Sequence, residues 1–235
     1  MDITEAMYTR HAVRSYVLRP LKEETADALR AEIDACNRES GLHVCLVTGE
    51  GEAFGGFRAR RAGFSGVSDY LVLAGPHGRD LAERAGYYGQ RLALKAQMLG
   101  LNTCWAAGTF RRGKCRWEPE RGDQLVGLLA AGYGTTAGHP HSSRSVDSVC
   151  RTDRPIPSWF RLGVEAALLA PTALNRQNFR LTLEGDTVRL NCGGPCAALN
   201  RGILKYQFEL GAGRENFRWA DFPAGDAENR TEDEE

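Results

Sequence analysis

A chain of 235 residues with 42% hydrophobic side chains is long enough for one large domain or two small ones with a sizeable core. Thirty basic and thirty acidic residues cancel, which excludes a global positive field for nucleic acid or an anionic membrane and points to a small-molecule partner. No apolar run approaches the about 18 residues of a membrane span and "MDITEAMYTRH" lacks a signal pattern, so the chain is expected in the cytoplasm, off the membrane.

In chain order, "LKEETADALRAEIDAC" reads as a helix over Leu21 to Ala35, with Leu21, Thr25, Ala28, Leu29, Ile33 and Cys36 on one face. "HVCLVTG" reads as a short buried strand. Gly49 to Ser68 reads as a loop with a short helix, "DYLVLAGP" as a second strand, and Arg79 to Leu99 as a long central helix, apolar on more than one face. "NTCWAAGTF" is extended, "RRGKCRWEPERGDQ" is a basic loop, and "LVGLLAAGYG" is a further strand. Gly132 to Arg154 is a polar connection, and a new helix begins near Pro157 and ends at Ala170, because Pro171 cannot continue the hydrogen-bond ladder. The tail 223–235 is acidic without an apolar anchor and is expected to be disordered.

Segments recur along the chain. "LRAEIDAC" from Leu29 aligns with "LGVEAALL" from Leu162 at an offset of 133, and "LHVCLVTGEG" from Leu42 aligns with "FRLTLEGD" from Phe179 at an offset of 137. "GYYGQRLALKAQMLGLNTCWA" matches "NRGILKYQFELGAGRENFRWA" more loosely, both ending in Trp-Ala. The halves, about 1–140 and 150–222, read as variants of one unit within a single domain, 1–222. The second copy carries four extra residues, in "PTALNRQN".

Few constellations carry chemistry by themselves. Seven cysteines without a secretory signal argue for reduced thiols, and "CGGPC" at Cys192 to Cys196 has neither the zinc nor the thioredoxin spacing, so no metal is expected. Arg10, His11 and Arg14 stand where arginines could clamp a phosphate, although a short basic run also suits a solvated surface. Asn175 and Gln177 carry donors and acceptors that suit the edge of a heteroaromatic ring, and equally suit a loop after a helix. Cys104, Tyr87, Tyr88, Trp105 and Trp219 read as packing residues, and His139 and His141 as loop residues without partners.

Taken together, "RHAVRSY", "GLNTCWAAGTF", "LVGLLAAGYG" and "APTALNRQNF" resemble the nitroreductase family of flavin enzymes. The resemblance implies an α+β fold, a nitroreductase-like mixed central sheet with helices on both faces, whose two pseudo-repeated halves mimic a dimer. It implies FMN as cofactor and NADH or NADPH as a transient electron donor to a nitroaromatic, quinone or similar acceptor. By position, Arg10, His11 and Arg14 would hold the phosphate and ribityl chain, with Ala12 replacing the usual serine. Pro171, Thr172, Ala173 and Asn175 would cover the ring system, with Asn178 and Phe179 replacing Pro-Trp. Gly108 and Thr109 would bring N–H groups toward the flavin edge, and Arg144 would be a further phosphate ligand. The first half lacks the ring-covering loop and the second lacks a clear arginine motif, so the resemblance implies one flavin per chain, held between fused halves of a monomer. The alternative is a non-catalytic flavin-binding or degenerate member of the same fold.

Overall fold

The structure is a computed structural model that describes residues 1–220; the tail expectation lies outside them. Helix α1 (Ile3–Thr9), absent from the sequence reading, is capped by Asp2, whose carboxylate accepts the Glu5 N–H at 2.8 Å. Helix α2 (Glu23–Ser40) begins with two glutamates that favour its positive end and stops at Gly41, where φ is 66°. It buries Ala26, Leu29, Ile33 and Cys36. Then come β1 (Cys45–Val47), the short helix α3 (Phe57–Arg61), β2 (Asp69–Pro76), α4 (Leu81–Met98), β3 (Asn102–Ala106) and β4 (Asp123–Gly132). The polar connection after β4 contains α5 (Val146–Val149) and β5 (Cys150–Thr152), two short elements that polarity concealed. Pro157 opens α6 (Ser158–Leu168), followed by β6 (Phe179–Glu184), β7 (Thr187–Cys192), α7 (Ala197–Ala212) and β8 (Arg218–Trp219).

The α+β class is as expected, with the strands divided between two four-stranded sheets. The first has the order β1-β2-β4-β3, antiparallel throughout; the second has the order β5-β6-β7-β8, with parallel outer pairs. The division follows from packing. Strands β2 and β4 bury both faces: Leu71, Leu73, Leu129 and Ala131 join the core beneath α2 and α4, while Tyr70, Val72, Ala74, Leu128 and Ala130 point the other way, to Phe54, Phe64 and Phe110. In the second sheet Leu181, Leu183, Val188 and Leu190 pack toward Phe160, Val164 and Phe208 on α6 and α7, while Arg180, Thr182, Arg189 and Asn191 alternate on the wetter face.

Helix α4 packs on the first sheet, α7 on the second, and the two helices on each other. Their backbones meet at glycines: a Cβ on Gly202 would stand 1.9 Å from the Glu83 carbonyl oxygen, and one on Gly86 would stand 2.1 Å from that of Leu199. The buried Gln90 and Gln207 bond across the contact at 3.4 Å, and Gln207 also donates to the Ala166 carbonyl at 3.2 Å. The series α2-β1-β2-α4-β3 and α6-β6-β7-α7-β8 run in the same order. Strand β3 points the same way as β2 with β4 inserted between them, and β8 pairs parallel to β7 directly.

No helix among the described residues is long and apolar enough to cross a membrane, and no group of three or more His, Cys, Asp or Glu gathers there to hold a metal ion. All seven cysteines are free thiols. Burial pushes Cys36 and Cys192 up to about 12 and Cys115 to about 11, whereas Cys196 is exposed at the start of α7. Since the thiolate is the nucleophile, one thiol per chain, Cys196, is expected to react rapidly with an aromatic disulfide at pH 8. Two or more fast equivalents by absorbance would contradict this burial pattern.

Candidate functional site

The first motif is fixed by backbone pairing. After α1, Ala12 bridges Thr103 of β3 in parallel, and Val13 N–H donates to the Thr103 carbonyl at 3.1 Å. Tyr16 N–H then reaches the Ser65 carbonyl at 3.0 Å, and Val17 N–H the Tyr133 carbonyl at 2.8 Å. Residues 10–17 are thus threaded between the end of the α3 loop, β3 and the turn after β4.

Threading buries Arg10. It is 3% exposed, and its Nε and Nη1 have no hydrogen-bond partner among the described residues. Burial lowers its pKa to about 10, opposed by the nearby Cys104 and Tyr16. A buried guanidinium without acceptors is a costly arrangement that an anion would relieve. His11 is half-buried against Gly138, where an added Cβ would lie 2.8 Å from the His11 Cβ. Burial first, then Arg10, His141 and His139, lowers the His11 pKa. The two loop histidines therefore have neighbours, contrary to the sequence reading: His141 Nε2 lies 3.4 Å from the Leu169 carbonyl and Nδ1 3.2 Å from that of Ser142. Arg14 is exposed, its Cδ 3.7 Å from the position of a Cβ on Gly63.

The second motif is a loop held by side chains. Pro171, Thr172 and Ala173 are half-buried, and Gln177 is 1% exposed. Gln177 N–H donates to Thr172 Oγ1 at 3.0 Å, its Nε2 to the Leu168 carbonyl at 3.2 Å, and its Oε1 accepts the Arg144 N–H at 2.7 Å. Ala173 N–H donates to Asn200 Oδ1 at 3.1 Å, tying the loop to α7. Leu174, Asn175 and Gln177 have φ of 54°, 52° and 45°. Left-handed backbone at non-glycine residues costs about 1–3 kcal/mol each and gathers at ligand-binding loops.

The segment 141–144 joins the two motifs. It lies beside His11 and bonds the loop twice more and the end of α6 once: Asn175 Nδ2 donates to the Ser142 carbonyl at 2.9 Å, Arg144 Nη1 to that of Gln177 at 3.4 Å, and Ser143 Oγ to that of Leu168 at 3.3 Å. The fold thereby brings Arg10, His11, Arg144 and the Pro171–Asn175 stretch to one place. Gln177, His139 and His141 belong there too, and so does Asn200, whose partner Ala173 lies 27 residues away and leaves no local signal. Gly108 and Thr109 follow β3, with Gly108 exposed and open around its α-carbon and Thr109 Oγ1 buried without a partner. No hydrogen bond among the described residues links them to the loop. Two cavities lie elsewhere: one of about 540 Å³ bounded by Leu18, Pro20, Leu21 and Thr48, and one of about 250 Å³ bounded by Phe54, Arg60, Phe64 and Ser65.

Comparison with known proteins agrees with this architecture. The family model described as "Putative TM nitroreductase" matches residues 2–212. A putative nitroreductase from Thermotoga maritima is 22% identical, with a TM-score of 0.64 over 92% of this chain and 85% of that one. A putative nitroreductase from Desulfovibrio desulfuricans, solved in complex with FMN, is 15% identical, with a TM-score of 0.51 over 67% of this chain and 99% of that one. No curated protein matches the chain. The family match spans both halves, the arginine segment and the strained loop alike, and on it the chain belongs to the nitroreductase family and is an oxidoreductase.

Proposed function

We propose that the chain binds one FMN between its halves and passes electrons from NADH or NADPH to a small acceptor, a nitroaromatic, quinone or similar compound. The observation that carries this reading is the attachment of the Pro171–Gln177 loop to segment 141–144 beside the unpartnered Arg10 and His11, which joins motifs from opposite ends of the chain. The flavin, when bound, supplies the hydride and electron transfer, and the protein supplies position and electrostatics. Arg10 would neutralise the phosphate, with His11, Arg14 and Arg144 around it. Pro171, Thr172 and Ala173 would lie on the ring and exclude water. Asn175 commits its amide N–H to Ser142, which leaves its oxygen free to accept from a ring N–H. Gly108, without a side chain, and the N–H of Thr109 would face the reactive edge, where donors stabilise developing negative charge. The same order of elements in both halves supports a fused pseudo-dimer acting as a monomer.

The test is the visible spectrum of the purified protein with release and quantitation of the chromophore. The expected result is a yellow protein with FMN near one per chain, and an Arg14→Ala variant that loses most of it. A colourless protein that does not take up added FMN would overturn the reading. A non-catalytic flavin protein is the second reading, favoured by Ala12 in place of the family's serine and Asn178-Phe179 in place of its Pro-Trp. Steady NAD(P)H oxidation with a quinone acceptor separates the two.

A further inference from the structure

The first half carries a cationic surface that the flavin contacts leave unused. Arg58, Arg60 and Arg61 occupy three of the five positions of α3, and Arg111, Lys114 and Arg116 follow β3. The two groups adjoin: a Cβ on Gly56, the residue that opens α3, would lie 2.9 Å from Arg111 Cγ and Cδ. Among the described residues, Glu52 is the one carboxylate in ion-pair contact with any of these six, 3.1 Å from Lys114. Lys114 above all, then Arg111 and Arg116, holds Glu52 below the usual carboxylate range, which places all three around it. The surface spans the gap between two proposed flavin contacts. At one end Arg14 lies against Gly63, two residues past α3; at the other, Thr109 precedes Arg111 by two residues.

Two further features lie within it. Phe57 is 67% exposed at the start of α3, an aromatic face flanked by arginines. The 250 Å³ cavity that α3 reaches through Arg60 is also bounded by Phe54, Phe64 and Ser65, and Ser65 Oγ is 2.9 Å from Ser15 Oγ, beside Arg14. An aromatic ring stacks on a nucleobase, and guanidinium groups grip a phosphomonoester carrying about −1.5 to −2 charges through paired hydrogen bonds. NADPH bears such a group on its adenosine ribose and NADH does not.

We propose that α3 and the turn after β3 bind the adenosine 2′-phosphate end of the reductant, so that the donor is NADPH; this rests on the flavin oxidoreductase reading above. Phe57 stacks on the adenine and Arg58 and Arg61, three residues apart on one face of α3, take the phosphate.

The test is calorimetric titration of the purified chain with adenosine 2′,5′-bisphosphate and with adenosine 5′-monophosphate at low salt. The bisphosphate is expected to bind about tenfold tighter or more. An Arg58→Gln, Arg61→Gln double variant should lose that preference, and Arg30→Gln on α2 should keep it. Both arginines are exposed, so the double variant folds if its thermal transition is unchanged. In the flavin-loaded protein kcat/KM for NADPH should exceed that for NADH by a similar factor. Equal affinity for the two nucleotides, or a preference that survives the double variant, overturns the assignment. Loss of the flavin reading is seen separately, as a colourless protein that still discriminates between the nucleotides.

Discussion

Replacing Gly202 by alanine is expected to destabilise the protein by about 3 kcal/mol, seen as a lower urea midpoint, although alanine is the better helix former by about 1 kcal/mol. The new methyl would stand 1.9 Å from the Glu83 carbonyl oxygen and 2.5 Å from the Tyr87 nitrogen. Both are backbone atoms of a regular helix and neither can rotate away, so α4 and α7 must separate. Separation strains the bonds that cross the contact: Tyr87 to Glu209 at 2.6 Å, Arg201 to Glu83 at 3.2 Å, and the buried glutamine pair. Gly86→Ala should behave alike, and the double variant should cost less than the sum, because helices moved apart once need not move again. Gly89→Ala provides the contrast. Its methyl meets the tip of Trp105 at 2.4 Å, a half-buried side chain that can shift, so the cost should be about 1 kcal/mol. An unchanged midpoint for Gly202→Ala would mean that the helices do not touch at these glycines.

Arg10→Met is expected to move stability and cofactor binding in opposite directions. The guanidinium is charged at neutral pH in both folded and unfolded chains, and burial lowers its folded pKa from 12.5 to about 10, a penalty on the cation of about 3 kcal/mol. The sign follows from linkage: the penalty is present throughout the neutral range and is relieved only as pH rises through about 10. An apolar side chain of similar length removes it, so the cofactor-free variant should be more stable by about 1–3 kcal/mol. The same change removes the cation proposed to neutralise the FMN phosphate, and FMN affinity should fall by about a hundredfold or more. The paired readout is the thermal transition without flavin and the FMN dissociation constant by fluorescence quenching. A variant that is both less stable and still yellow would mean that Arg10 is a structural residue. The expected pattern is that of a binding site whose ligand compensates for local cost.

Much of the fold was legible because it was local. Strand β2 was read as "DYLVLAGP", its structural span, since an unbroken apolar run between polar loops is what a strand buried on both faces requires. Helices α2, α4 and α6 were legible from periodicity, and Pro171 bounded α6 to within two residues. The short elements α1, α5 and β5 were not legible, because pieces of three to seven residues in polar sequence owe their form to what they dock against. The loop Pro171–Gln177 was legible as an interruption, but its left-handed residues were not. Leu174 has no local preference for φ of 54°, and adopts it where Thr172, Gln177, Asn200 and Arg144 hold the chain on either side.

The sequence by itself determined the α+β class, helices α2, α4 and α6, strand β2, and the residue types suited to a phosphate and a heteroaromatic ring. Those depend on period, length and chemistry within a few neighbouring residues. Only the tertiary structure decided that the strands form two sheets, that α4 meets α7 at bare glycine backbones, and that Arg10 is buried without a partner. It also decided that Ser142 and Arg144 fasten the loop more than thirty residues further along the chain beside His11. Such pairings are selected by the packing of surfaces remote in sequence, where burial multiplies the cost of every unmatched polar group and the full set of contacts must be satisfied at once.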